Sequence, residues 1–248
     1  MLCPDPETNC SLIPDVINNS WFKHKPDDVT FNRFIAMWEE LEIIPVFCTG
    51  NKFNPASCQE LAVLPPGARN ARVIAVGATT KRDQLAKYSR RGVLDDQRPP
   101  DLVAPGSKIV SCSNTGGSFS ASGTSMATPH VTGTIALMID VARNHGREKL
   151  KFDTVKALLE GSTVQTLAGS EFACLPASEL KNYPNAAYGY GRLSARNAVR
   201  ATQIHLGVTN PLPASVADSS GSGAHPRPAA MLLAAAYAAM GIVVLNIS

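Results

Sequence analysis

The sequence has almost no excess of charge of either sign. Its 248 residues carry 23 Lys and Arg against 20 Asp and Glu, a formal net charge of +3. A balance this close to neutral provides no strongly basic surface of the kind that binds nucleic acid or an anionic membrane. We therefore expect no nucleic-acid partner.

The chain also lacks the pattern of a secretory signal peptide, because its N-terminus has no positively charged region followed by an apolar run. Its first six residues, Met1 to Pro6, are typical of the middle of a loop. Up to residue 228 no apolar segment is long enough to cross a membrane. The N-terminus therefore predicts neither a leader nor a first strand.

The six cysteines include no CxxC pair, which argues against a zinc site. An even number of cysteines favours disulfides, and free buried thiols are the alternative. A bond between Cys3 and Cys10 is expected first, because a short separation closes a small loop at little entropic cost. A bond between Cys48 and Cys58 is the second expectation.

Short apolar runs alternate with amphipathic stretches along the first two hundred residues. The predicted strands are 15–21, 43–48, 72–77 and 108–112, and the predicted helices are 31–41, 124–145, 152–160 and 195–204. Alternation of this kind predicts an α/β fold with right-handed crossovers and a parallel sheet covered on both faces. The expected domain spans 1–207, followed by a Pro/Ser/Gly-rich linker at 208–228 and a hydrophobic tail at 229–248.

The start of the long helix has the composition of a reactive site. Gly123 permits a sharp turn, and Ser125 lies in the first helical turn, where unpaired N–H groups and the helix dipole favour a developing anion. Pro129 lacks the N–H that would otherwise bond the carbonyl of Ser125. These residues are compatible equally with a nucleophile and with an ordinary helix start.

The run Gly123-Thr124-Ser125-Met126-Ala127-Thr128-Pro129-His130-Val131 resembles the signature around the catalytic Ser of subtilases. The segment 45–51, which ends in Gly50-Asn51, is similar to the family strand whose Asn helps to form the oxyanion hole. Segments 73–78, 100–106 and 188–195 match further family patterns in the same order. Residues 16–21 and the helix that follows them particularly resemble the bacillopeptidase-F-like branch.

The resemblance implies a three-layer subtilisin-like fold whose N-terminal part is missing from this chain. It implies that Ser125 attacks the carbonyl of an extended polypeptide substrate while Asn51 and the Ser125 N–H hold the oxyanion. It also implies a set of substrate-binding residues: Asn19, Ser20, Trp21, Thr49, Gly50, Gly123 and Thr124. No organic cofactor is implied, and calcium is possible because subtilases often carry it.

Two features depart from the family pattern. No His-Gly-Thr-His or Asp-Ser/Thr-Gly motif occurs in the chain, so the catalytic Asp and His are not recognised. We therefore expect a serine endopeptidase whose present chain is truncated and inactive alone, with a non-catalytic peptide-binding remnant or a non-functional fragment as alternatives. The second departure is Phe22, which replaces an expected Gly and either narrows the specificity pocket or turns outward.

The C-terminal tail is predicted to attach the protein to a membrane. Small residues at 218–223, a short spacer at 224–228 and an apolar run at 229–245 resemble the order of a GPI signal. A transmembrane helix and a non-functional tail are the alternatives. The expected location is therefore secreted or at the cell surface.

Overall fold

The computed structural model describes residues 13–21, 32–51, 72–92, 100–114, 116–147, 149–169, 175–176, 178–211 and 243–245. Its strands are β1 (Val16–Asn19), β2 (Ile44–Cys48), β3 (Ile74–Thr79), β4 (Leu102–Pro105), β5 (Ile109–Cys112), β6 (Ser118–Ala121) and β7 (Val243–Leu245). Its helices are α1 (Asn32–Glu40), α2 (Thr124–Asn144), α3 (Phe152–Gly161) and α4 (Ala195–His205).

Five of these strands form one parallel sheet in the order β4-β3-β2-β1-β7. Side chains on β1, β2 and β3 are buried throughout, because helices cover both faces. This explains why the strands are apolar runs instead of alternating patterns. The predicted α/β class and its parallel sheet flanked by helices are confirmed.

The two faces of the sheet pack against different helices. On one face Ile17 and Phe47 pack with Ile35 and Trp38 of α1. On the other face the apolar side of α2 packs against β1, β2, β3 and β4 with Val131, Ile135 and other buried side chains. Helix α2 ends as predicted beside Gly146, which adopts the left-handed conformation at φ 76°.

One predicted strand belongs elsewhere. Residues Ile109–Cys112 pair antiparallel with Ser118–Ala121 in a separate two-stranded sheet, so the expectation that they continue the parallel sheet is wrong. The physical reason is exposure, since Val110 is 69% exposed and most residues of the hairpin strands are exposed in the described part of the chain. This hairpin leads directly into the start of α2.

The C-terminal tail contributes a strand. Residues Val243–Leu245 lie beside β1 in parallel register, with Ile17 opposite Val243. The end of the predicted apolar run is therefore extended, while 212–242 and 246–248 lie outside the described residues. In the described part of the chain, no helix has both the length and the apolar character needed to span a bilayer.

Segment 185–193 packs against the edge strand β4. The buried hydroxyl of Tyr188 accepts a hydrogen bond from the Leu85 N–H at 2.9 Å and donates one to the Ala168 carbonyl at 3.0 Å. A side chain at Gly189, where φ is 57°, would overlap the Pro100 carbonyl oxygen. These contacts join the C-terminal half of the domain to the sheet.

Candidate active site

Two predicted catalytic residues meet where β2 ends and α2 begins. Asn51 follows the carboxyl end of β2, and its side-chain Oδ1 accepts hydrogen bonds from the N–H of Thr124 at 2.9 Å and from the Thr124 hydroxyl at 3.0 Å. Because both partners are donors at these contacts, the oxygen of the amide is the end that faces Thr124. The Nδ2 group, which can only donate, is thereby directed away from Thr124.

Glycines allow this close approach. A side chain at Gly123 would stand 3.2 Å from Nδ2 of Asn51, so the amide lies directly against the backbone that precedes the helix. A side chain at Gly106 would stand 2.7 Å from the carbonyl oxygen of Gly123. The Gly123 N–H in turn donates to the Gly106 carbonyl at 2.9 Å. Gly106 is therefore required to seat the start of α2, and a side chain at Gly123 would crowd the Asn51 amide.

Ser125 is the second residue of α2, in the turn whose N–H groups have no partner inside the helix. Its hydroxyl donates to the carbonyl of Ser20 at 3.1 Å, and the Ser20 hydroxyl donates to the carbonyl of Ser125 at 3.0 Å. The nucleophile candidate is thus tied by two reciprocal bonds to the segment after β1. Its N–H and the Nδ2 of Asn51 are the two donors that the resemblance implies for an oxyanion.

The thiol of Cys48 lies beneath this centre. Burial raises the pKa of the Cys48 thiol, and weaker opposing effects come from hydrogen bonds with the Thr124 side chain, the Gly50 backbone and the Ser125 side chain. The thiol therefore stays protonated at neutral pH. Cys48 is a free cysteine in the structure, so the predicted bond to Cys58 is wrong. Its position at the buried end of a central strand explains the error.

The predicted disulfide between Cys3 and Cys10 lies outside the described residues, as does Phe22. Cys112 is a free thiol on the exposed hairpin strand β5. Neither described cysteine therefore takes part in a disulfide.

The predicted substrate-binding residues fall into two groups. Asn19 and Thr49 are buried, and the backbone of Asn19 lies between Phe47 of β2 and Leu245 of β7. Ser20 and Trp21 lie beyond the end of β1 and are partly exposed, with Trp21 packed edge to face on Phe47 at 5.4 Å.

The remaining predicted residues surround the nucleophile. Gly50 adopts φ 91°, and its carbonyl accepts the Arg90 N–H at 3.2 Å. Gly123 and Thr124 contact Asn51 directly, as described above. The geometry therefore brings Ser20, Asn51, Thr124 and Ser125 together, while Asn19 and Thr49 support them from inside the fold.

Within the described ranges, no histidine hydrogen-bonds Ser125. His130 places its Nδ1 2.9 Å from the Met126 carbonyl on its own helix, and burial lowers the pKa of its imidazole while that hydrogen bond opposes the shift. His145 likewise faces the Val141 carbonyl at 2.7 Å. His130 and His145 are thus each directed to a carbonyl of their own helix and not to Ser125.

The acidic residues of the described ranges serve structural roles. Asp15 pairs with Arg143 at 2.8 Å, and the carboxylate of Asp101 accepts the Ala75 N–H at 2.7 Å and pairs with Lys156. Across the described ranges, no group of three or more His, Cys, Asp or Glu side chains converges as a metal site would require. No described residue set is therefore assigned to calcium.

A sequence model described as the subtilase family matches residues 12–191. The chain belongs to the subtilase family. Bacillopeptidase F of Bacillus subtilis (strain 168) is 33% identical over 209 residues, which cover 82% of this chain and 13% of that protein. The extracellular serine proteinase of Thermus sp. (strain Rt41A) is 47% identical over 74 residues, 29% of this chain and 17% of that protein.

A solved structure supports the subtilase fold. The prenylagaramide maturation protease PagA superposes with a TM-score of 0.57 at 24% identity, over 76% of this chain and 62% of that chain. This similarity supports the fold alone, because the identity is low. This subtilase chain spans between 13% and 62% of the lengths of the three proteins.

Sequence reasoning missed several residues of the subtilase site. Cys48 is predicted from the sequence only as a disulfide partner, and Asn18 only as part of the first strand. Asn18 is 1% exposed, and its side chain bonds Ser20 and Thr132. The available signal was a pair of asparagines inside an otherwise apolar strand, because buried amides need partners.

Proposed function

We propose that this subtilase is a serine endopeptidase that hydrolyses peptide bonds through Ser125. The observation that carries the proposal is the anchoring of the Asn51 Oδ1 by Thr124, the residue before Ser125, which leaves the Nδ2 end out of that contact. A donor held in place before the reaction stabilises charge that develops only in the transition state.

The chemistry follows from this arrangement. The Ser125 hydroxyl attacks the carbonyl carbon of the scissile peptide and gives its proton to the general base, while the C=O electron pair moves onto the oxygen of the tetrahedral intermediate. Collapse of this intermediate breaks the C–N bond, the amine leaves with the proton from the base, and water then hydrolyses the acyl-enzyme. That oxyanion accepts hydrogen bonds from Asn51 Nδ2 and from the Ser125 N–H, at the positive end of the α2 dipole. The protonated thiol of Cys48 packs below the nucleophile and is not itself nucleophilic.

We further propose that the general base and its orienting Asp come from a segment outside these 248 residues. The absence of the His-Gly-Thr-His and Asp-Ser/Thr-Gly motifs from the sequence motivates this proposal. In the present structure the Ser125 hydroxyl is directed to the Ser20 carbonyl, which cannot accept a proton as a base does. Without a base, a serine hydroxyl is a weak nucleophile at neutral pH.

The first test is covalent labelling of the 248-residue chain with a fluorophosphonate probe. We expect slow labelling, because loss of a triad member costs roughly 10⁴ to 10⁶ in turnover in subtilisin, a member of the same family. Labelling of Ser125 at the rate of an active serine protease would refute the proposed need for an outside base.

The second test uses genomic sequence upstream of Met1. We expect it to encode both missing motifs, and the longer product to cleave unfolded protein. Ser125→Ala should abolish that cleavage, whereas the matched control Ser122→Ala should retain it, because the described contacts of the Ser122 side chain are with the Lys108 N–H, at 2.8 Å, and with Tyr88. A folded Ser125→Ala product with unchanged turnover would show that the assignment is wrong.

A non-catalytic, peptide-binding subtilase is the second candidate. The bond from the Ser125 hydroxyl to Ser20 favours it, since this contact satisfies the hydroxyl without a base. An upstream region without the two motifs, together with peptide binding that survives Ser125→Ala, would support this candidate over the first.

We also propose that the protein is secreted or held at the cell surface, since a relative named as an extracellular proteinase supports export. Attachment through the tail, as a GPI signal or a membrane helix, stays part of this proposal. Phosphatidylinositol-specific phospholipase C should release surface protein if the tail is a GPI signal. Surface protein that stays attached after treatment with the lipase, and that still contains Met231 to Leu245, would contradict the proposed GPI signal.

A further inference from the structure

The carbonyl of Ser125 is deprived of its normal helical partner. In an α-helix the carbonyl of residue i accepts the N–H of residue i+4, and the residue four positions after Ser125 is Pro129. A carbonyl in this turn must find another donor or remain unpaired. The orientation of that carbonyl matters, because it belongs to the residue that supplies both the nucleophile and an oxyanion donor.

Ser20 supplies the replacement donor. Its hydroxyl donates to the Ser125 carbonyl at 3.0 Å, although the two residues are 105 positions apart. A carbonyl oxygen can only accept, so the single proton of the Ser20 hydroxyl is committed to this bond. The Ser20 oxygen can therefore only accept from its other neighbour.

That neighbour is the amide of Asn18, whose Nδ2 lies 2.8 Å from the Ser20 oxygen. Its Oδ1 accepts from the hydroxyl of Thr132 at 3.1 Å, a proton that Thr132 shares with the Thr128 carbonyl at 3.2 Å. Asn18 and Thr132 are 1% and 0% exposed, so water does not compete for these groups. The direction of donation is thus the same along the whole chain, from Thr132 to Asn18 to Ser20 to Ser125.

We propose that Asn18 and Ser20 are positioning residues, which supply the nucleophile's carbonyl with the hydrogen bond that Pro129 cannot donate. The inference rests on the proposed function, since positioning has a purpose only if Ser125 reacts. Asn18, which lies on β1, acts through Ser20 to fix the orientation of the peptide group that contains the Ser125 carbonyl. The N–H and the hydroxyl of Ser125 are thereby held relative to Asn51 without a bond from the helix itself.

The test observes this one carbonyl by NMR in the 248-residue chain. Ser125-Met126 is the only Ser-Met pair in the sequence, so labelling serine with ¹³C at the carbonyl and methionine with ¹⁵N isolates a single peptide signal. Loss of a hydrogen bond to a carbonyl moves its ¹³C resonance upfield. We expect an upfield shift in Ser20→Ala and the wild-type position in Ser20→Thr, which restores the hydroxyl.

Three further variants test the same hydrogen bond. Adding Pro129→Ala to Ser20→Ala restores a helical N–H donor, and the resonance should return downfield. The matched control Thr134→Ala removes a helix hydroxyl that bonds only the His130 carbonyl, at 2.8 Å, and should leave the resonance in place. If Ser20→Ala does not fold, Thr132→Val removes the far end of the same chain of bonds and should give a smaller upfield shift.

A folded Ser20→Ala whose resonance does not move, or a Ser20→Thr that shifts as far as Ser20→Ala, would overturn the proposal. An unmoved Thr132→Val would do the same where Ser20→Ala is unfolded. The measurement does not require the chain to hydrolyse peptides. Its failure therefore refutes the positioning role and leaves the proposed function standing, whereas a longer product that stays active with Ser125→Ala refutes the proposed function and leaves the measured hydrogen bond in place.

Discussion

The two ends of the Asn51 amide perform separate tasks, and replacement of Asn51 can separate them. Asn51→Asp keeps an oxygen where Oδ1 accepts the N–H and the hydroxyl of Thr124, but it replaces the Nδ2 donor with a second oxygen. Asn51→Ala removes both ends. The first variant therefore preserves the anchor and destroys the donor, and the second destroys both.

The expected stabilities follow from burial. Thr124 is 0% exposed, so Asn51→Ala leaves its N–H buried without an acceptor, at a cost of about 1 to 3 kcal/mol in the free energy of unfolding. Asn51→Asp should remain close to the wild type, because a carboxylate near a helix N-terminus is itself favourable by about 0.3 to 1 kcal/mol. Asn51→Asp should therefore be more stable than Asn51→Ala.

The expected activities run in the opposite order. Loss of the equivalent donor in subtilisin costs about 10² to 10³ in kcat, so Asn51→Ala should lose activity by that factor in the catalytically complete protein. Asn51→Asp should lose more, because a negative charge would face the developing oxyanion. The rank order of the two variants should therefore reverse between stability and turnover.

Urea unfolding of the 248-residue chain measures the first order, with fluorescence from Trp21 and Trp38 as the signal. Turnover of the longer product measures the second. Equal unfolding midpoints for the two variants would refute the assignment of Oδ1 as the anchor. Higher turnover in Asn51→Asp than in Asn51→Ala would refute the assignment of Nδ2 as the oxyanion donor.

Two other predictions concern buried titratable groups. Tyr188→Phe should lose about 1 to 3 kcal/mol, because its hydroxyl no longer accepts the Leu85 N–H or donates to the Ala168 carbonyl. Burial raises the pKa of Tyr188 above the unfolded value of 10.0, so its contribution is complete below that pH and is lost as pH rises through the folded-state pKa. Urea midpoints from pH 8 to 11 should fall more in the wild type than in Tyr188→Phe, and parallel curves would contradict this. Native Cys48 is buried and protonated, so it should react with iodoacetamide on the order of 10³ times more slowly than exposed Cys112. Peptide mapping measures the modification of each cysteine, and equal modification of the two would disprove the burial of Cys48.

The extent to which this site could be predicted depended on sequence distance. Ser125 and its helix were predictable because Gly123, Pro129 and the serine act on the same turn of backbone, where local rules apply. Asn51 was predictable only by resemblance, since its contact with Thr124 joins positions 73 residues apart. The family pattern supplied what local chemistry could not.

Other features of the structure could not be predicted from the sequence, for the same physical reason. The apolar start of β5 resembles a sheet strand, and only its exposed hairpin partner shows otherwise. The bond between Asn18 and Thr132 joins residues 114 positions apart, so no local pattern indicates it. Cys48 could be paired on paper with any other cysteine, whereas the folded strand directs its thiol toward Thr124 and Ser125.

The position of β7 opposes the fate proposed for the tail. If an enzyme cut the chain at residues 218–223 to attach a lipid, the cut would also carry away the strand that shields Ile17, Asn18 and Asn19. Their freed amides and carbonyls would then be open to a strand from another molecule. The same cleavage would attach the lipid and remove the strand that protects β1 from self-association, unless a different strand pairs with β1 in place of β7.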